Sequence, residues 1–384
     1  SKLVEDADEL AGLPESALQA AAELASAKQQ QGYLFTLDIP SYLPLMQYCE
    51  NRALREEMYC AYVTRASELG PGAGEFDNSS LIEEILSLRS ELAALLGFAN
   101  YAELSLATKM AESSEAVLDF LRALADKSVV KAREEFSELQ QFAQQELGLE
   151  ALQAWDVPFA SEKLRVARYA ISQEELRAWF PIDRVLPGMF DIVQRLYGLQ
   201  IRETPPPGSW HSDARFFELY DAAGEQRASF YLDLYAREGK RGGAWMADLK
   251  SRRRLPGGQL QRPVAFLVCN FTPPAAGQPA LLTHNEVTTL FHEFGHGLHH
   301  MLTAIDHSPV SGINGVPWDA VELPSQFMEN WCWEREALAL FARHHESGAS
   351  LPDAMLKKML DAKNFQSAMQ MARQLEFSLF DFKT

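Results

Sequence analysis

The stretch THNEVTTLFHEFGHGLHH, residues 283–300, constrains the fold most, because it states where a helix must begin and which of its sides must be covered. Thr283 and Glu286 have the spacing of a capping box, and Leu282 and Val287 flank it as a hydrophobic staple, so a helix is expected from about His284. At about 100° per residue, Val287, Leu290, Phe291, Phe294, Leu298, Met301 and Leu302 fall in one arc of roughly 120°. That arc needs an apolar partner. His292 and His296 lie near the centre of the opposite side, outside the packing surface.

Two histidines four apart on a helix stand above one another, close enough for two imidazole nitrogens to reach one ion at about 2.0–2.1 Å. Glu293 is turned by about 100° from His292, which suits contact with a water on that ion better than direct ligation. This is the H-E-x-x-H pattern of zinc hydrolases, with two neutral imidazoles on Zn²⁺ and a carboxylate that takes a proton from the bound water. Such a site needs a third protein ligand. The extended motif with a later histidine does not fit, since His299 stands at its glycine position and Leu302 at its histidine position. A carboxylate from a later helix remains, with Glu322, Asp306 and Asp319 as candidates. Against Glu322 stands a local reading, in which Asp319 and Glu322 form a capping box of their own. His299 competes as a ligand with simple packing at the helix end. Glu329, seven residues after Glu322, is placed either to orient a histidine through its free ring nitrogen or to remain a solvent-facing charge.

Around this helix the chain divides by texture. Residues 1–160 read as a helical lobe in good helix formers, for example SLIEEILSLRSELAALLGF. Within residues 161–384, short aromatic and β-branched runs from about 214 to 272 predict a small sheet just upstream of the histidines. After TPPAAGQPA the text returns to long helices, including AVELPSQFMENWCWEREALALFARHH and PDAMLKKMLDAKNFQSAMQMARQLEFSLF. The segment GGAW, 242–245, is either an edge strand able to pair with an extended peptide or an ordinary strand with a glycine bulge. His284 and His307 read as surface residues and Cys332 as core.

The 384-residue chain carries a formal net charge of -18, which disfavours nucleic-acid and anionic-membrane partners. Its four cysteines show no C-x-x-C spacing, so neither a disulfide framework nor a thiolate zinc site is indicated, and reduced cytoplasmic thiols fit best. No apolar run reaches the ~20 residues of a membrane span, and the opening SKLVEDADEL is too acidic for a secretory signal.

HEFGHGLHHML, followed by SGINGVPWDAVELPSQFMENWCWE and preceded by FYLDLYAREGKRGGAW and RPVAFLVCNFTPP, resembles the thimet oligopeptidase family of zinc metallopeptidases, and within it the bacterial oligopeptidase A branch. The blocks run in order from about residue 216 to 335. The resemblance implies that His292, His296 and Glu322 bind one Zn²⁺ and that Glu293 is the general base. It implies a mainly α, multi-helical zincin-like metallopeptidase, with a small β-sheet next to the active-site helix and two lobes around a channel that admits short unstructured peptides. The Gly-rich SGINGVPWD is expected to border that channel, with Gly312 and Gly315 giving it freedom to adapt. The family also carries, beyond the zinc helices, a His- and Tyr-rich segment that helps to bind substrate and stabilise the oxyanion. This chain ends at LEFSLFDFKT without it. Loss of one such donor costs on the order of 10²–10³ in rate. The chain is therefore expected to be a middle portion, roughly half to two-thirds of a full-length enzyme.

The expected function is that of a cytoplasmic, monomeric zinc endopeptidase for short peptides. The alternatives are a dipeptidyl carboxypeptidase of the same family and a non-catalytic peptide-binding fragment.

Overall fold

Capping side chains, those of Asn51, Ser113 and Thr283, set the starts of three of the long helices. In a computed structural model, which describes residues 1–274 and 279–384, the helices are α1 (Glu15–Ala27), α2 (Ile39–Tyr48), α3 (Arg52–Val63), α4 (Ser79–Leu95), α5 (Tyr101–Leu106), α6 (Ser114–Leu147), α7 (Val157–Tyr169), α8 (Gln173–Arg177), α9 (Ile182–Tyr197), α10 (His284–Met301), α11 (Leu323–Glu329), α12 (Arg335–Phe341), α13 (Asp353–Ala362) and α14 (Ser367–Lys383). Asn51 and Ser113 accept the Leu54 and Ala116 backbone N–H groups at the starts of α3 and α6, and Gly148 ends α6 in the left-handed region at φ +66°. Residues 275–278, within TPPAAGQPA, lie outside the described residues.

The strands are β1 (Lys2–Val4), β2 (Tyr33–Phe35), β3 (Gln200–Thr204), β4 (Arg215–Tyr220), β5 (Gln226–Tyr235), β6 (Trp245–Lys250), β7 (Arg253–Arg254), β8 (Leu260–Gln261) and β9 (Val264–Phe271). The main sheet has the order β3-β4-β5-β9-β6, with β5 and β9 parallel and the other pairs antiparallel. The molecule is thus mainly helical with a small mixed sheet. Two features escape the textural reading of the sequence. The sheet starts at Gln200, ahead of the aromatic runs, because β3 is a mostly polar edge strand with no long apolar alternation to reveal it. A three-residue antiparallel pair, β1 with β2, sits in otherwise helical text.

Contacts divide the chain into two compact units. The first comprises Ser1–Leu37, Ser41–Ala170 and Asp361–Thr384. Its Asp156, fully buried, accepts hydrogen bonds from Arg52 Nε at 3.0 Å, Arg55 Nη2 at 2.9 Å and the Gln153 backbone N–H at 3.0 Å. Arg55 is itself 1% exposed, donates to the Cys49 carbonyl at 2.6 Å and lies over the Phe159 ring. On α4 of the same unit, Leu81, Ile85, Leu88, Leu92 and Leu95 repeat at helical spacing, yet each is between 44% and 80% exposed.

The second unit comprises Asp38–Pro40 and Ile171–Leu360 and holds the main sheet and the histidine helix. Phe294 of α10, Phe190 of α9 and Phe217 and Phe230 of the sheet form one aromatic cluster, with ring centroids 5.0–6.4 Å apart. Val287, Leu290, Phe291, Phe294, Leu298 and Met301 are all buried, so the apolar arc of α10 finds its cover. A buried side chain of this kind contributes about 1.5–3 kcal/mol, which is why the arc decides how the helix is rolled on the sheet. Among the described residues, no helix is long and apolar enough to cross a membrane.

The helical text after the motif is broken more often than its periodicity predicts. The segment from 320 to 345 holds two seven-residue helices, α11 and α12, with a short 3-10 turn at Asn330–Cys332 between them. The Asn330 side-chain amide donates to the Phe327 and Gln326 carbonyls, a local bond that competes with helix continuation. α13 and α14 are likewise separated at Gln366, which sits in the left-handed region at φ 53°.

Candidate metal centre

The start of α10 is built as its sequence requires. Thr283 accepts from the Glu286 N–H and the Glu286 carboxylate accepts from the Thr283 N–H, which completes the capping box. One and a half turns on, the rings of His292 and His296 stand 4.9 Å apart and nearly perpendicular. Their side chains are 25% and 14% exposed, open enough to receive a ligand from the solvent side.

Glu322 arrives from the start of α11. It occupies the N-cap position itself, and Asp319 lies inside the preceding 3-10 turn Trp318–Ala320, so Asp319 is not the N-cap of α11 as the local capping-box alternative requires. Its carboxylate oxygen Oε2 lies 3.2 Å from His292 Nε2 and 3.2 Å from His296 Nε2. Ligand atoms of His292, His296 and Glu322 all fall within 4.8 Å of one another. The buried Ser325 hydroxyl holds the same Glu322 oxygen at 2.7 Å. Of the other candidates, Asp306 is taken up by Arg252 at 2.8 Å and Arg254 at 2.7 Å. His299 does not join the cluster and instead lines an apolar pocket with Leu298, Leu302, Leu323 and Phe327.

Glu329 lies on the far side of His292, with Oε1 2.7 Å from Nδ1. An N–H at Nδ1 directed to that carboxylate leaves the Nε2 lone pair free and aimed at the cluster. Burial holds His296 below its ordinary value, helped by the charge of His292 and opposed by Glu322, so the ring favours the neutral form that ligates metals. Two imidazoles and one carboxylate with a water-accessible side form the donor set of a tetrahedral site with an open position, which suits Zn²⁺. The donors present therefore fit that ion.

Glu293 sits deeper, at 6% exposure. Burial pushes its carboxyl up to about 7, with the His292 charge opposing, the Glu322 charge adding, and a hydrogen bond from the Met246 backbone N–H stabilising the anion. Met246 belongs to β6, at the edge of the main sheet. Four residues on, the Lys250 carbonyl lies 2.9 Å from His300 Nε2. Backbone groups at both ends of β6 are thus committed to α10. The Gly243 carbonyl in GGAW accepts from Asn270 Nδ2 at 2.7 Å, and the loop before it is tied by Lys240 to Asp233 at 2.8 Å. GGAW itself forms the approach to the strand, which begins at Trp245.

Sequence reasoning misplaced His284. It is buried at 5%, with Nε2 2.8 Å from the Cys332 carbonyl and its ring edge-on to Trp333 at 4.4 Å. The partners come from a turn 48 residues away, and nothing local to the histidine announces them. Cys332 is fully buried, as read from its flanking tryptophans. A second group, His344, His345 and Glu346, also brings ligand atoms together. There the Glu346 and Ser347 backbone N–H groups point at His344 Nδ1, at 3.3 and 3.4 Å, which makes that ring a loop-forming acceptor.

Comparison with known proteins gives the chain a family. A family model described as peptidase family M3 matches residues 45–384. Oligopeptidase A of Salmonella typhimurium is 60% identical over 383 residues, covering 100% of this chain and 56% of the relative, and oligopeptidase A of Escherichia coli matches to the same extent. Dipeptidyl carboxypeptidase of Escherichia coli is 34% identical over 383 residues, with 99% and 55% covered. The chain spans about half the length of the curated relatives it matches. With a family match over most of its length and an H-E-x-x-H helix folded against a converging glutamate, this chain belongs to peptidase family M3.

Proposed function

We propose that the chain carries the metal centre of a zinc-dependent endopeptidase, an oligopeptidase that hydrolyses short unstructured peptides. The observation that supports this reading is the convergence of His292, His296 and Glu322 beside a buried carboxyl, Glu293. His292 and His296 would hold one Zn²⁺ through Nε2, and Glu322 through a carboxylate oxygen. When bound, the ion supplies a Lewis acid that acidifies a water and polarises a carbonyl. Glu293 then accepts the water's proton and delivers it to the leaving amine. Its burial keeps bulk solvent from competing for that proton, and the Met246 N–H fixes how the carboxylate faces. Glu329 holds the His292 ring in the ligating tautomer.

The proposal includes the two-lobed enclosure and channel that the resemblance implies, which would admit extended peptides and exclude folded proteins. It also includes a monomeric state and a cytoplasmic setting, to which four free cysteines and a net charge of -18 are suited.

The direct test is metal analysis beside peptide turnover. The protein is expected to carry one zinc per chain, to lose cleavage of an internally quenched peptide on chelation, and to regain it with added zinc. Binding of intact peptide without turnover in the zinc-loaded protein would point to the non-catalytic reading instead. The 34% identity to a dipeptidyl carboxypeptidase supports a second reading within the family. An exopeptidase of that kind grips the free C-terminal carboxylate, so amidating the peptide would abolish its cleavage, whereas an endopeptidase is expected to cleave both forms. A further expectation concerns Glu329. Glu329→Gln should weaken zinc affinity by about 10–100-fold, measured by competition with a chromogenic chelator, because the amide no longer stabilises the N–H at His292 Nδ1 as a charged acceptor does.

A further inference from the structure

Between the two histidines lies a residue that a helix does not favour. Gly295 sits in the middle of α10, where glycine is the poorest choice after proline. A Cβ at this position would stand 2.5 Å from the Pro324 carbonyl oxygen and 2.6 Å from the Ser325 Cα. Both are backbone atoms of α11 and cannot swing aside as the tip of a side chain can. The two helix backbones are therefore already in van der Waals contact.

Gly297, two residues further on, gives the internal comparison. Its added Cβ would meet Leu267 Cδ2 at 3.0 Å and Met301 Cε at 3.4 Å, both ends of flexible side chains. One glycine of the pair is thus required by backbone approach and the other is not.

The close approach falls where the site needs it. Glu322 immediately precedes Leu323, the first residue of α11, and is followed at two and three residues by the pair that touches Gly295. The Ser325 hydroxyl, on the contacting residue itself, holds the Glu322 carboxylate at 2.7 Å. We infer that Gly295 is a positioning residue: its missing side chain sets the closest approach of α11 to α10 and so the distance at which Glu322 meets His292 and His296. The inference rests on the reading of this cluster as a zinc site, and it adds that the spacing has no slack in either direction.

The test uses zinc affinity and the visible spectrum of the cobalt-loaded protein, so it does not depend on catalysis. Gly297→Ala is expected to leave zinc affinity within about threefold of the unsubstituted protein, while Gly295→Ala weakens it about 10–100-fold, the range seen when support around a metal ligand is lost. With Co²⁺ in place of zinc, the visible bands should shift in Gly295→Ala and stay put in Gly297→Ala, since they report the donor set and its geometry. Zinc affinity unchanged in Gly295→Ala overturns the inference. If Gly295→Ala does not fold, Glu322→Asp asks the same question in the native helix spacing. A carboxylate one methylene shorter loses affinity about 10–100-fold if α11 is at its limit of approach. It keeps affinity if α11 can slide inward, and that result overturns the inference. Failure of the unsubstituted protein to bind zinc would sink the metal reading and this inference with it. Tight binding by Gly295→Ala beside lost binding by Glu322→Gln would sink the inference alone.

Discussion

Glu293→Gln is expected to lower peptide cleavage by about 10²–10⁴-fold while zinc stoichiometry stays at that of the unsubstituted protein. The substitution is nearly isosteric, so the buried space that holds Glu293 at 6% exposure remains filled. The amide oxygen can still accept the Met246 N–H. What is lost is a group able to take a proton from water and give it up again. The three residues proposed to hold the metal are untouched, and removal of a carboxyl from a buried position does not destabilise the helix. Metal analysis and turnover on the same preparation decide the matter. Cleavage within tenfold of the unsubstituted rate would remove Glu293 from the role of base.

The second large effect is on stability and lies far along the chain. Asp156→Ala is expected to destabilise the first unit by about 3–5 kcal/mol, because it leaves the Arg55 guanidinium buried without its counter-charge. Arg52 can turn to solvent, being 44% exposed, but Arg55 at 1% cannot. Urea unfolding followed by tryptophan fluorescence would show the shift. A change below about 1 kcal/mol would mean that the Cys49 and Glu50 carbonyls alone satisfy Arg55.

The same carboxyl gives a pH dependence of definite sign. Burial raises the Asp156 pKa, but hydrogen bonds from Arg52, the Gln153 N–H and Arg55 outweigh it, so the group is held below its ordinary value. The folded state then binds fewer protons than the unfolded chain. The contribution is complete above the ordinary aspartate range of about 4 and is lost as pH falls through the lower folded value. Asp156→Ala should therefore flatten part of the acid limb of a stability profile.

The contrast between these two sites shows what a sequence can carry. Glu293 is legible because every constraint on it is local: a capping box two turns upstream, an apolar arc on one side of α10, and two histidines on the other. The place of Glu322 beside the histidines can be shortlisted but not chosen from spacing, since it depends on how α11 lies against α10, seen where Pro324 and Ser325 meet Gly295. Asp156 and His284 are not legible at all. The buried arginine that pairs with Asp156 is 101 residues away and the carbonyl beside His284 is 48 away, and neither leaves a periodic trace. The helical runs after the motif are shorter than their periodicity predicts for a related reason, as periodicity does not register the competing bonds made by Asn330. The mixed sheet was placed by its aromatic strands, and its polar edge β3 had no such marker.

The leucines and isoleucine along α4 turn an apolar band to the solvent. Apolar area left facing water gains none of the stabilisation that burial gives, so this band contributes nothing to holding α4 in place, unlike the covered arc of α10.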